Sequence, residues 1–172
     1  CKNTQKSNTT DNSEITETAP ETRQARFLLV HSAWLGGWQW EQVAKPLLEA
    51  GHYVFTPDLP GHGTDATPSS ESMERYVKTI TDLLDTQKEP VILVGHSFNG
   101  ITISRVAELH PEKIEKLVYL TAFLLPEGGS FFKAVSGVEG SKAVENFILQ
   151  KTKYALVKEA KMHNAFAHDI DR

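Results

Sequence analysis

Residues Pro90–Gly100 read PVILVGHSFNG, and these positions decide the fold. Pro90–Gly95 (PVILVG) has the length and apolar composition of a buried strand. From Phe98 the apolar positions take helical spacing, and the pattern stops at His110, before Pro111. Ser97 therefore falls where a strand gives way to a helix. A serine on that sharp turn projects its hydroxyl from the carboxyl edge of the sheet, and small flanking residues let strand and helix pack closely around it. The helix N-terminus adds backbone N–H groups and a dipole that favour developing negative charge. The usual spacing is G-x-S-x-G. Here Asn99 takes the fifth position and glycine follows at Gly100. Asparagine tolerates unusual backbone angles better than most residues, so the pattern is weakened without being broken. In this context Ser97 reads as a nucleophile rather than a structural serine.

Working outward, Arg26–His31 (RFLLVH), His52–Thr56 (HYVFT) and Lys116–Thr121 (KLVYLT) have the character of further strands. Between them lie helical stretches: Trp38–Ala50, closed by Gly51 and expected to kink or break at Pro46, and Ser70–Asp85, with Met73, Tyr76, Val77, Ile80, Leu83 and Leu84 on one face. Pro57–Gly63 (PDLPGHG) is a loop. Strands alternating with helices predict an α/β fold with a mostly parallel sheet covered on both faces. The last stretch, Ser130–Arg172, differs. Val144, Phe147, Ile148, Tyr154, Leu156 and Val157 fall at helical spacing, which predicts a helical segment lying over the sheet as a cap.

A second chemical signal follows the first strand, at His31-Ser32-Ala33-Trp34. A serine nucleophile attacking an ester needs donors aimed at the carbonyl oxygen. In this architecture one is the N–H of the residue after the nucleophile, here Phe98, and the other lies on the loop after an earlier strand. Ala33 is the candidate for that second N–H, with Ser32 and Trp34 as candidates for lining the substrate pocket. Loss of one such donor typically slows turnover by roughly 100- to 1,000-fold.

The stretches RFLLVHSAWLGGWQWEQVAKPLLEAGHYVFTPDLPGHG, PVILVGHSFNG and LVYLTAFLLPEGGS together resemble the α/β-hydrolases, in the branch that holds plant methylesterases, hydroxynitrile lyases and small bacterial esterases. The resemblance runs from Arg26 to Arg172. It implies Ser-His-Asp chemistry on a carboxylic ester of a small molecule through an acyl-enzyme at Ser97, with no cofactor and no metal. It also divides the chain into the N-terminal part of the hydrolase core at 26–129 and the cap at 130–172. Where esterases of the branch usually carry glycine, this chain has Ser32. The lyases resemble it there in carrying a hydroxyl that contacts substrate oxygen, so carbon–carbon lyase chemistry is the alternative. His96 matches the esterase form of the turn and favours hydrolysis. A non-catalytic small-ligand binder on the same fold is the remaining alternative.

The triad partners of this architecture follow the serine in the order acid, then histidine, on loops after later strands. After Lys116–Thr121 no further strand is read, so the acid and base are expected beyond Arg172. The 172-residue stretch alone is then expected to be a poor catalyst, because serine without a base is a weak nucleophile.

Other residues invite a chemical role and are given none. His96 is expected to pack along the turn and His62 to be structural. Asp58 precedes the serine, the wrong order for the triad acid. His168 and Asp169 are adjacent and do not face each other on a helix. Trp34, Trp38 and Trp40 are expected in the core or the pocket lining.

Composition narrows the classes. With 18 Lys+Arg against 22 Asp+Glu the net charge is −4, without the basic surplus of a nucleic-acid binder. The single cysteine is Cys1, so no internal disulfide forms. Residues 1–25 hold only 4 apolar side chains, against 64 in the 147 that follow, and read as a disordered polar tether. A cysteine followed by such a tether resembles the mature start of a bacterial lipoprotein. That implies a lipid anchor at Cys1, membrane attachment and a place in the cell envelope.

Overall fold

The computed structural model describes residues 23–66, 73–135, 147–149 and 155–157. Residues 1–22, with Cys1, and the histidines His163 and His168 lie outside them. The last residues read as tether, 23–25, are described and held, Arg23 pairing with Glu115 at 2.8 Å and the Ala25 carbonyl accepting from Tyr53 N–H at 2.9 Å. Four strands form one parallel sheet: β1 Arg26–Val30, β2 Tyr53–Phe55, β3 Val91–His96 and β4 Ile114–Leu120, in the order β2-β1-β3-β4. The two central strands are β1 and β3, in register from Phe27↔Ile92 to Val30↔Gly95. All four predicted strands are present, with ends moved by one or two residues.

Side-chain alternation along these strands divides the core in two. On one face Leu28, Val30, Val91 and Leu93 pack against Val77, Ile80 and Leu84 of α2 (Met73–Asp85) and Ile103 and Val106 of α3 (Gly100–Leu109). The α2 positions repeat every three to four residues, the spacing that puts them on one stripe. On the opposite face Leu29, Val94 and Trp40 form a smaller cluster, joined by partly buried Phe27, Val54 and Ile92. That face lies on the side of α1 (Glu41–Glu49), which buries none of its own residues.

The predicted helix over 38–50 divides differently. A 3-10 turn covers Gly37–Trp40, and α1 then runs without a break through Pro46. Proline at that position removes the donor that would reach the Gln42 carbonyl. Gln42 is exposed, so water can satisfy the orphaned carbonyl and the helix continues. Gly51, at φ 85°, supplies the left-handed residue that ends it, and His52 N–H returns to the Leu47 carbonyl at 3.0 Å.

The expected helical cap also needs correction. Among the described residues after Ser130, one short helix is present, α4 Phe131–Val135. Phe147–Leu149 and Ala155–Val157 are instead an antiparallel pair, β5 and β6, with Ile148 opposite Leu156. Short apolar runs cannot be separated into helix and strand by periodicity alone, and Phe-Ile-Leu and Ala-Leu-Val supply aromatic and β-branched residues.

Candidate active site

The turn after β3 has the geometry its sequence predicts, by a different device. Ser97 itself takes the left-handed conformation, φ 55°. Asn99, at φ −73°, is ordinary backbone. Holding a non-glycine residue in that region costs on the order of 1–3 kcal/mol and requires the surroundings to enforce it. Several contacts do so. Gly95 has no room for a side chain, since a Cβ would stand 2.7 Å from Ile103 Cδ1. A Cβ at Gly100 would collide with the Phe123 carbonyl. Phe123 N–H donates to the Ser97 carbonyl at 2.9 Å, so the loop after β4 grips the turn. A 3-10 turn, Ser97–Asn99, then leads into α3.

Asn99 is selected for its side chain. It is 1% exposed, and its amide Nδ2 donates to the His31 carbonyl at 2.5 Å while its Oδ1 accepts from the Thr102 hydroxyl at 2.7 Å. The departure from G-x-S-x-G thus ties the start of α3 to the end of β1. Only the carbonyl of His31, far along the chain, reveals this use, so the local sequence could not.

The loop after β1 is fixed at several points. His31 is fully buried, and Leu59 N–H donates to its Nε2 at 3.1 Å. Nδ1 must therefore carry the proton, which it donates to the Ser32 carbonyl 2.7 Å away. Burial lowers the His31 pKa from 6.5 to about 4, so the ring is neutral with both nitrogens used. Ser32 is 3% exposed; its N–H donates to Gln39 Oε1 at 2.9 Å and its hydroxyl makes a long 3.4 Å bond to the Ala33 carbonyl. Trp34 is half-buried and, like Ser97, stands at positive φ, 64°. Among the described residues, neither the Ala33 nor the Phe98 N–H donates to a protein acceptor. Phe98 is half-buried, its ring edge-on to Phe131 at 5.1 Å, and Phe131 in turn contacts Phe123 at 5.0 Å.

His96 is half-buried with its ring edge-on to Trp40, and Gln39 Nε2 donates to its Nδ1. Burial holds its pKa below the usual histidine value. His62 bonds the Pro60 carbonyl and packs between His31 and Tyr76. Asp58 accepts from Gly37 N–H at 2.6 Å and from the Thr64 N–H and hydroxyl at 2.8 and 2.7 Å. The two backbone donors keep its carboxyl below the usual range, and it serves as a knot between loops. The tryptophans separate: Trp40 is 2% exposed, whereas Trp38 is 61% exposed beside an open cleft of about 750 Å³ that also borders Leu48 and Asp58 and does not include Ser97. Gln39 is the residue that sequence reasoning missed, because a glutamine in a Gly/Trp loop carries no signal until its partners are in place.

Among the described residues no group of three or more His, Cys, Asp or Glu could hold a metal ion, and no helix is long and apolar enough to cross a membrane. What the sheet edge does present is a strained serine at a helix start, faced by a pinned loop on the neighbouring strand.

Comparison with known proteins agrees with this arrangement. Residues 27–169 match the Alpha/beta hydrolase family. Methylesterase 1 of Arabidopsis thaliana is 44% identical over 110 residues, 60% of this chain and 41% of the relative. The alpha-hydroxynitrile lyase of the same plant is also 44% identical, over 107 residues, 59% of this chain and 41% of the relative. The crystal structure of a pyrethroid hydrolase from Sphingobium faniae JZ-2 superposes with a TM-score of 0.73 at 28% identity, covering 86% of this chain and 62% of that one. The chain thus spans less than half the length of the two plant relatives. With strand order, serine turn and sequence match in agreement over most of its residues, the chain belongs to the alpha/beta hydrolase family.

Proposed function

We propose that the protein is a serine hydrolase acting on a carboxylic ester of a small molecule through an acyl-enzyme at Ser97. The observation that carries this is the Ser97 backbone, a left-handed serine at the junction of β3 and the helix that follows, gripped by Gly95, Gly100 and the Phe123 N–H. Such strain persists only where the surroundings enforce it, and it clusters at sites of function. In the proposed reaction the Ser97 oxygen attacks the ester carbonyl carbon and its proton passes to a base. The oxyanion is received by the Ala33 and Phe98 N–H groups, the alcohol departs, and water then releases the acid. The triad acid and histidine lie outside the described residues. No cofactor or metal takes part.

Ester hydrolysis is favoured over lyase chemistry by His96, which matches the esterase form of the turn, while the Ser32 hydroxyl is the feature that supports the lyase alternative. The similarity to an esterase and to a lyase is equal in identity and does not decide between them. The anchoring of Cys1 is carried in the same proposal on the polar composition of residues 2–25, and incorporation of an alkynyl fatty acid in growing cells tests it.

The test of the central reading is covalent. Full-length protein treated with a fluorophosphonate is expected to carry the adduct on Ser97 by peptide mass spectrometry, and Ser97→Ala to carry none. Loss of the nucleophile is expected to lower turnover of a chromogenic ester by about 10⁶-fold, the scale known from subtilisin. Absence of an adduct at Ser97 overturns the proposal. Release of cyanide from a cyanohydrin with no ester turnover would assign the lyase reaction instead.

A further inference from the structure

We propose that Gln39 is a positioning residue whose side-chain amide, bonded at one end to the Ser32 N–H and at the other to His96 Nδ1, sets the spacing between the two halves of the oxyanion site. The inference rests on the hydrolase reading above. The two donors, Ala33 N–H and Phe98 N–H, stand on loops that leave the neighbouring strands β1 and β3 just after the last paired residues, Val30 and Gly95. Beyond that register, among the described residues, no backbone hydrogen bond joins the loops. Two side-chain amides span the gap between them. Asn99 links α3 to the His31 carbonyl from within the core. Gln39, on the α1 side, touches Ser32 and His96, the residues immediately before Ala33 and Ser97.

The chemistry of the bridge makes a specific demand. Because Gln39 Oε1 accepts from Ser32 N–H, its Nε2 must donate, and His96 Nδ1 must offer a lone pair. His96 is then neutral with its proton on Nε2. An ordinary packing contact at His96 would not select one tautomer, whereas this bridge does. Displacement of a reacting geometry by about 1 Å can lower turnover by about 100-fold, so the bridge acts on rate more than on binding. Glutamate at position 39 keeps the reach and the acceptor for Ser32 N–H. It then needs a proton from His96 Nδ1, which inverts the tautomer without breaking the bridge.

The experiment compares full-length wild type, Gln39→Met and Gln39→Glu by imidazole ¹⁵N spectra, backbone amide shifts and steady-state kinetics on a chromogenic ester. Wild type is expected to show His96 protonated on Nε2. Gln39→Met is expected to lose that preference, to shift the Ala33 and Phe98 amide signals, and to lower kcat by about 10- to 100-fold with KM changed less than about twofold. Gln39→Glu is expected to move the His96 proton to Nδ1 and to recover kcat to within about threefold of wild type. The proposal is overturned if Gln39→Met leaves the Ala33 and Phe98 amide signals in place, or if an active wild type keeps its kcat on that substitution. An inactive wild type that takes no fluorophosphonate counts against the hydrolase reading, and the spectra still decide the bridge.

Discussion

The two faces of the central sheet are built from the same strands by the same alternation, and they are not equivalent. Under α2 and α3, Leu28, Val30, Ile80, Leu84, Val91, Leu93, Ile103 and Val106 are all at most 1% exposed. On the α1 side the buried set is Leu29, Trp40 and Val94, α1 buries nothing, and Val118 and Leu120 of β4 stay 39% and 45% exposed. Among the described residues β4 has no partner on its far side. The difference shows where polar contacts can be kept. The α2/α3 face keeps buried polar groups only where they are paired, as with Asn99 and Thr102 and with His31 and the Leu59 N–H. The thinner α1 face holds the Gln39–His96 contact at the serine turn.

The comparison breaks most easily at its strongest point. Ile80→Ala empties a fully buried site between α2 and the sheet and should lower unfolding stability by about 2–5 kcal/mol, read from chemical denaturation. A loss under about 1 kcal/mol would mean the face is looser than its exposures indicate. Next comes acid. His31 has a folded pKa of about 4 against an ordinary 6.5, so the folded protein resists a proton that the unfolded chain accepts. Its contribution is complete above pH 6.5 and is lost as pH falls through that value toward 4, by about 3 kcal/mol in total. Replacing His31 with Asn should flatten stability over that window, and a denaturation series against pH measures it. The smallest effect belongs to the other face: Leu48→Ala on exposed α1 should move stability by no more than about 0.5 kcal/mol. If it matched Ile80→Ala, the two faces would carry equal weight.

Much of this was legible in the sequence because the signals are local. RFLLV, PVILV and KLVYL are apolar runs with turn formers beside them, and the stripe Val77–Ile80–Leu84 repeats at helical spacing. Ser97 announces itself by its neighbours. The misread features depend on partners distant in the chain. Whether Phe147–Leu149 becomes helix or strand is decided by pairing with Ala155–Val157. Asn99 looked like a backbone accommodation and is a side-chain tie to His31, across 68 positions. Gln39 gained a reading only when β1 and β3 brought Ser32 and His96 to either end of its amide.

Three non-glycine residues among those described have positive φ: Trp34, Ser97 and Thr121. Ser97 and Thr121 come directly after β3 and β4, and Trp34 lies in the loop after β1. The torsions alone therefore outline one rim of the sheet. A search for stabilising glycine substitutions, guided only by backbone relief, would begin at these three positions. At Ser97 it would erase the proposed nucleophile, so thermal robustness and reactivity compete for the same few torsions along that rim.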